Sequence, residues 1–482
     1  MLSRSGRGTP FVLSEGHALP GQTALLFKEW LDKEDVGLLG CDLGVSSELA
    51  AVRGVFAIKD LPVGEVVVSV PDCSVLMPHT CSVGSSLEAA GLCNSPGAPR
   101  WKEALGLVVA VMAEKCRGMH SRWADYLDFL PKSVSTMPIY WTSQELQPLR
   151  HTALAEKLAG KWKVLGCHVE APTQVEEQYK TVVLPFMEHH NVAGFPSDSK
   201  ARYQLYLWAT AVVCSYSFSL GGDSFQAMVP VWDMLNHVTG KCNVRLHHSA
   251  KRGTLQMIAT KSIKLGQEII NNYGPLSDSE LLRRFGFVES EPNPNNGCEI
   301  PYAVLMAKCQ EHLQPVQPQQ SNSASLQATA HANKDLMYRK TDFMREHDLI
   351  PIDGWFKADI LGQPQCEMIE VVRILLLPDS EFEAFKKQVD RWRCPLTRPL
   401  TQLASISHQV SHVIHQVASE RLAGLSELPP VRDGVPQGFR QTAAQSVLKT
   451  ERHTLLGLLL WLDKHDSTSL INCSKKVWVH IR

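Results

Sequence analysis

The stretch "MVPVWDMLNHVTGKCN", residues 228–243, sets Asn236 and His237 side by side at the end of an otherwise apolar run. Val229, Val231, Met234 and Leu235 look built for burial, and an amide and an imidazole buried among them cost free energy unless each is partnered. Turn or cap chemistry beside Asp233 accounts for many such pairs. The dipeptide alone does not decide the matter, and its flanks have to.

On the N-terminal side, "VRGVFAIKDLPVGEVVVSV" (52–70) reads as two short strands around a turn, with Pro62 and Gly64 where a type I turn favours them. On the C-terminal side, "ATKSIKLGQEIINNYG" (259–274) repeats the form: Ala57, Lys59, Leu61 and Gly64 recur as Ala259, Lys261, Ile263 and Gly266. Two β-rich segments of like construction are thus separated by a long section of different character. That section is helical in pattern, as "YQLYLWATAVVCSYSF" shows by placing Leu205, Trp208, Ala209 and Val212 on one stripe. A helical insert, about 77–225, is therefore expected to split one β-rich domain spanning 22–290.

Further on, His312 to Asn333 is rich in Gln, Ser, Pro and Ala, and a flexible loop is expected there. "EMIEVVRILLLP" (367–378) and "TAAQSVLKTERHTLLGLLLWLDKH" (442–465) carry helical periodicity, so residues 291–482 should form a mostly helical domain of their own. The fold class is α+β.

The chain has 482 residues, of which 44% are hydrophobic and 20% charged, enough for two or three domains with real cores. Its 48 Lys+Arg against 49 Asp+Glu give a net charge of -1 and no electrostatic reason to favour nucleic acid. Apolar runs such as Leu455 to Leu462 are far shorter than the roughly 20 residues that span a bilayer. The opening "MLSRSGRGTP" lacks the apolar core of a secretory signal and is short for an organelle transit segment. Thirteen cysteines without a C-x-x-C read as reduced thiols, and no metal is expected, because His189–His190 and His247–His248 point their neighbours in different directions.

Taken in order, "VRGVFA", "VPVWDMLNH", "GQEIINNYG" and "RRFGFVE" resemble the SET-domain protein lysine methyltransferases. "LPFMEHH", "VVCSYSFSLGG" and "YGPLSDSELLRRFGFVE" narrow the resemblance to the split-SET branch, which contains Rubisco large-subunit methyltransferase and the SET-domain-containing protein six group. The latter is the nearer, because Tyr216 in "CSYSF" stands where Rubisco-type enzymes carry an arginine. The resemblance implies transfer of methyl from S-adenosyl-L-methionine to a lysine of a protein, with the C-terminal helical domain binding substrate.

It implies Arg53, Gly54, Val55, Phe56, Asn236, His237, Tyr273 and Phe287 as cofactor-binding residues, and Tyr273 as the catalytic tyrosine. Tyr216, Leu246 and Phe285 would line the lysine pocket; His247 is the alternative to Leu246. A buried amide–imidazole turn suits an adenine, which needs both a donor and an acceptor. Gly54, without a Cβ, would let the backbone approach the methionyl part of the cofactor. Phe285, where many relatives have tyrosine, removes one hydroxyl from the pocket. The cysteine cluster that follows the domain in many histone-directed enzymes is absent.

The partner expected is a protein presenting a lysine: a transcription factor, a ribosomal protein, a histone or a Rubisco-like protein, with non-histone targets favoured. No nucleic acid or membrane is expected, a monomer is, and the compartment expected is the nucleus, with cytoplasm and then chloroplast behind it. Rival readings remain at this point. The SET part could be a catalytically weak binding module, the acceptor could be histidine, or Cys214 could pair with His237 in a hydrolase.

Overall fold

The computed structural model describes residues 21–46, 52–93, 100–159, 175–220, 225–290, 292–313, 323–392, 406–427 and 438–466. The chain divides into two compact units. The first comprises residues 1–140, 172–276 and 284–289; the second comprises 141–171, 277–283 and 290–482. The chain therefore passes between units at several points, of which the step at 289/290 is one.

The first unit holds a four-stranded antiparallel sheet of β1 (Gly37–Leu38), β4 (Val66–Pro71), β8 (Thr254–Ala259) and β7 (Val244–Ser249), in that spatial order. Two further antiparallel pairs are β2 (Cys41–Ser46) with β3 (Val52–Ala57), and β5 (Ser217–Leu220) with β6 (Phe225–Met228). The strands on either side of the Pro62–Gly64 turn do not pair with each other: β3 takes β2 and β4 takes β8. Gly64 sits at φ +87°, a left-handed conformation that glycine adopts at no steric cost.

The likeness between segments 57–64 and 259–266 has a structural meaning. Leu61 and Ile263 exchange main-chain hydrogen bonds of 2.8 and 2.9 Å. Gly64 N–H donates to Ala259 O at 2.8 Å, and Gly266 N–H donates to Ala57 O at 2.7 Å. Matching residues of the two segments thus pair antiparallel about a local two-fold centred on Leu61 and Ile263. That pairing continues through Phe56 and Glu268 and carries residues 267–269 alongside β3, after which Asn271 passes to Asn236 and His237.

The helix Ser199–Tyr216 starts at Asp198, whose carboxylate accepts from Ala201 N–H at 2.7 Å as an N-cap. Its predicted stripe turns inward: Ala209 and Val212 are buried and Leu205 and Trp208 partly so. It packs against the helix Arg100–Arg117. The helices Gly21–Lys33 and Ala124–Phe129 stack Phe27 on Phe129 at 4.3 Å and Trp30 on Tyr126 at 5.7 Å. These side chains and those of the sheet form one continuous core.

The second unit pairs β9 (Gly297–Pro301) with β10 (Trp355–Asp359) and is otherwise helical among the described residues. The two helical readings hold, as Cys366–Leu376 and Phe439–His465. The flexible loop expected at 312–333 is corrected in part: 312–313 end the helix Tyr302–Leu313, and 323–333 begin the helix Ser323–Glu346, while 314–322 lie outside the described residues. Ala, Leu, Gln and Lys in "SASLQATAHANKDLM" are good helix formers, and Met337, Phe343 and Met344 further along bury the helix in the core.

Candidate functional site

In the first unit, Asn236 and His237 follow the short turn Trp232–Met234 and leave it alongside residues 271–273. Asn271 N–H donates to Asn236 O at 2.8 Å, and His237 forms a parallel bridge with Asn271. In a parallel bridge of this kind the neighbours of His237 make the ladder bonds, so its own N–H and C=O face away from the ladder. Those two groups are a donor and an acceptor on one edge, the pair an adenine requires.

The imidazole of His237, 4% exposed, is fully occupied. Nδ1 accepts from Tyr273 N–H at 3.2 Å, and Nε2 lies 3.2 Å from the Thr239 hydroxyl. Burial holds the imidazole pKa below its usual value, against the pull of Glu289 and of the Asn271 main chain, and the ring is neutral at physiological pH. With both nitrogens engaged, His237 is not the base of a Cys214 nucleophile, and that reading is set aside.

Asn236 gives both amide hydrogens to the chain: Nδ2 donates to Arg53 O at 2.9 Å and to Glu268 Oε1 at 2.6 Å. Its Oδ1 remains the acceptor of that amide, the kind of group an ammonium requires. A Cβ built on Gly54 would fall 2.4 Å from Glu268 Oε1 and 3.0 Å from Asn236 Nδ2. Glycine is needed here first because these two side chains close over the strand, a reason the sequence did not reveal. Val55 and Phe56 are buried in β3, with Phe56 bridged to Glu268.

The Tyr273 ring stacks on His237 at 5.1 Å and 19° and lies 4.6 Å from Phe285, which in turn is 6.4 Å from Phe287. Its hydroxyl donates to Leu235 O at 2.9 Å. Burial, together with Tyr216, Asp233 and Glu268, pushes its pKa far above the usual phenol value. Tyr216, at the end of its helix, is shifted up by burial, with Arg53 opposing and Asp233 reinforcing. Arg53 spends its guanidinium on Phe129, donating to the carbonyl and covering the ring at 4.5 Å. Its main-chain oxygen, not its side chain, is what serves Asn236. Leu246 stands apart from this cluster: it lies 42% exposed on β7, opposite Met257, and takes no part in the ring stack.

Three supporting residues escaped the sequence reading. Glu268 fixes the Asn236 amide; its place in "GQEIINNYG" beside the tyrosine was a usable signal. Asn243 ties the strand down, donating to Glu268 O at 2.9 Å and accepting from Ile270 N–H at 2.8 Å. Tyr126 donates to Asp233 Oδ2 at 2.6 Å from a helix more than a hundred residues upstream, and no local pattern announces it. Asp233 is itself buried with Oδ1 unpartnered among the described residues, an arrangement that costs about 1–3 kcal/mol.

The donor set therefore suits a nucleoside carrying an amino-acid ammonium. Residues 52–274 match the SET domain family model. The N-lysine methyltransferase SETD6 of Rattus norvegicus is 25% identical over 387 residues, covering 77% of this chain and 74% of the relative. SETD6 of Xenopus laevis is 27% identical over 399 residues, covering 78% of each. A solved structure of Rubisco LSMT bound to AdoMet superposes with a TM-score of 0.58 at 16% identity, covering 93% of both chains, a likeness of fold. Residues 52–274 are thus a SET domain, and over about three quarters of its length the chain is similar to N-lysine methyltransferases of the SETD6 kind.

Proposed function

We infer that this chain is a protein-lysine N-methyltransferase that uses S-adenosyl-L-methionine. The observation that carries the inference is the meeting of Asn236, His237 and Tyr273 in one hydrogen-bonded, stacked cluster within the matched SET domain. When bound, that cofactor supplies an electrophilic methyl group on a sulfonium. Asn236 would hold its ammonium through Oδ1, and the His237 main chain its adenine edge. Phe287 is the ring offered to the adenine face.

Tyr273 acts as a phenol. A hydroxyl donating to Leu235 O, with its pKa pushed far upward, does not take a proton near neutral pH. The acceptor lysine, with an ordinary pKa near 10.4, has to be deprotonated at a cost of about 4–5 kcal/mol at pH 7. Desolvation at the buried ring cluster lowers that cost, and the proton leaves to solvent. What remains for Tyr273 is orientation, supported by its two ring neighbours and its fixed hydroxyl. Phe285 beside Tyr273 and Tyr216 nearby are the side chains we assign to the acceptor pocket.

The acceptor proposed is a lysine of a non-histone protein and the compartment the nucleus, both resting on kinship with the split-SET branch. The test is to incubate the purified protein with methyl-labelled cofactor and cell extract, then map the modified residue by mass spectrometry. Label on lysine that falls at least about a hundredfold in Tyr273→Phe and in Asn236→Ala is expected. Label that survives both variants, or that sits on histidine, contradicts the reading.

A further inference from the structure

Asp233 has no assigned task, yet the fold holds it in an expensive place. Its carboxylate is 5% exposed; Oδ2 accepts from Tyr126 at 2.6 Å, and Oδ1 makes no hydrogen bond among the described residues. The main-chain N–H groups of Val231 and Asp233 ease its burial in part. Two residues earlier, Val231 is held at φ +71°, a left-handed conformation that a β-branched side chain resists. Strain is thus retained in the turn that carries this carboxylate.

The charged and titratable groups that face Asp233 are Arg53 from β3, Tyr126 from the helix Ala124–Phe129, Tyr216 from the end of the helix Ser199–Tyr216, and Tyr273. Arg53, the one fixed cation in that set, is already committed to Phe129. The carboxylate lies buried two residues before Leu235, whose carbonyl holds the Tyr273 hydroxyl, and it makes no ion pair among the described residues. A structural role alone would be served as well by a neutral partner for Tyr126.

We propose that Asp233 is a positioning residue: clamped by Tyr126 and the strained turn at Val231, its ionised carboxylate supplies the field that draws the acceptor's cationic side chain to Tyr273. This rests on the lysine reading above. During transfer the nitrogen lone pair forms the new N–C bond as the C–S bond breaks, and positive charge passes to nitrogen. The same carboxylate favours that ammonium product.

Burial pushes the Asp233 carboxyl up to about 7, against Tyr126 and Arg53, so its charge switches within an accessible range. The probe is Nα-acetyl-L-lysine methylamide, an ammonium throughout pH 6–8, titrated by calorimetry into the full-length protein with S-adenosylhomocysteine present. Wild type should bind it roughly tenfold more tightly at pH 8 than at pH 6, and Asp233→Asn should bind it equally at both. Tyr126→Phe removes a donor to the ionised form and should move the midpoint of that rise to higher pH, a second test if Asp233→Asn does not fold. A wild type that binds the probe with no pH step, a step that persists in Asp233→Asn, or an unmoved midpoint in Tyr126→Phe overturns the proposal and leaves the methyltransferase reading standing. Failure of the wild type to bind the probe at either pH overturns both.

Discussion

Asn236 and Glu268 form the smallest unit on which the site depends, because one carboxylate oxygen decides which way an amide points. Replacing Glu268 by Ala frees the amide to turn, and affinity for S-adenosylhomocysteine is expected to drop about tenfold while the fold persists, as read by calorimetry beside a melting curve. Asp233 makes a prediction of the opposite kind. Its folded pKa, about 7, lies above the value near 4 of an unfolded chain. A raised acid pKa means its contribution to stability is complete below about pH 4 and is lost as pH climbs through 7. Between pH 5 and 7.5 wild type should therefore lose about 2–3 kcal/mol relative to Asp233→Asn, and parallel denaturation curves at the two pH values would show it. At this scale the sequence was readable where chemistry was local: Asn236, His237, Tyr273 and Phe285 do meet. Not legible were the turn of the Arg53 guanidinium to a helix far away in the chain and the exposure of Leu246, which strand register sets.

The paired segments 57–64 and 259–266 set the register of everything downstream, since residues 267–273 continue straight from them to the tyrosine. A one-residue slip would reverse the side-chain faces of Glu268 and of the residues that follow it. Gly64 closes the turn at φ +87°, and nothing lies within 4 Å of the place a Cβ would take, so Gly64→Ala tests backbone strain without a clash. The expected cost is about 1–2 kcal/mol by chemical denaturation, with cofactor affinity unchanged. The internal likeness that marked these segments was visible in the sequence. Their antiparallel pairing about Leu61 and Ile263 was not, because the partners are some two hundred residues apart. The helices were legible by their 3.6-residue stripes, except at 323–333, where Ser and Gln drew attention away from the alanines and from the apolar positions that follow.

At the level of the whole molecule, two cores sustain two units, and the second is laced by buried charge. Within it Arg421 pairs with Glu156 at 3.0 Å and with Glu451 at 3.3 Å, while Glu451 also accepts from Ala153 N–H at 3.1 Å. Lys157 joins Glu280 and Glu299 at 3.0 and 2.8 Å. Removing one partner leaves an uncompensated buried charge, so Arg421→Ala should destabilise by about 3–5 kcal/mol, read as an early transition in thermal unfolding. This network draws residues 153–157 and 280 into the second unit, and composition along the chain gave no hint of it, since ion pairs between distant helices leave no periodic trace. The claim on which the account turns is that Asn236, His237 and Tyr273 form one nucleoside site. Calorimetric titration of S-adenosylhomocysteine into wild type and Asn236→Ala tests it most directly. Micromolar binding by the wild type, weakened at least about tenfold in a variant that still folds, is the predicted result; equal binding by both, or none by the wild type, would contradict it.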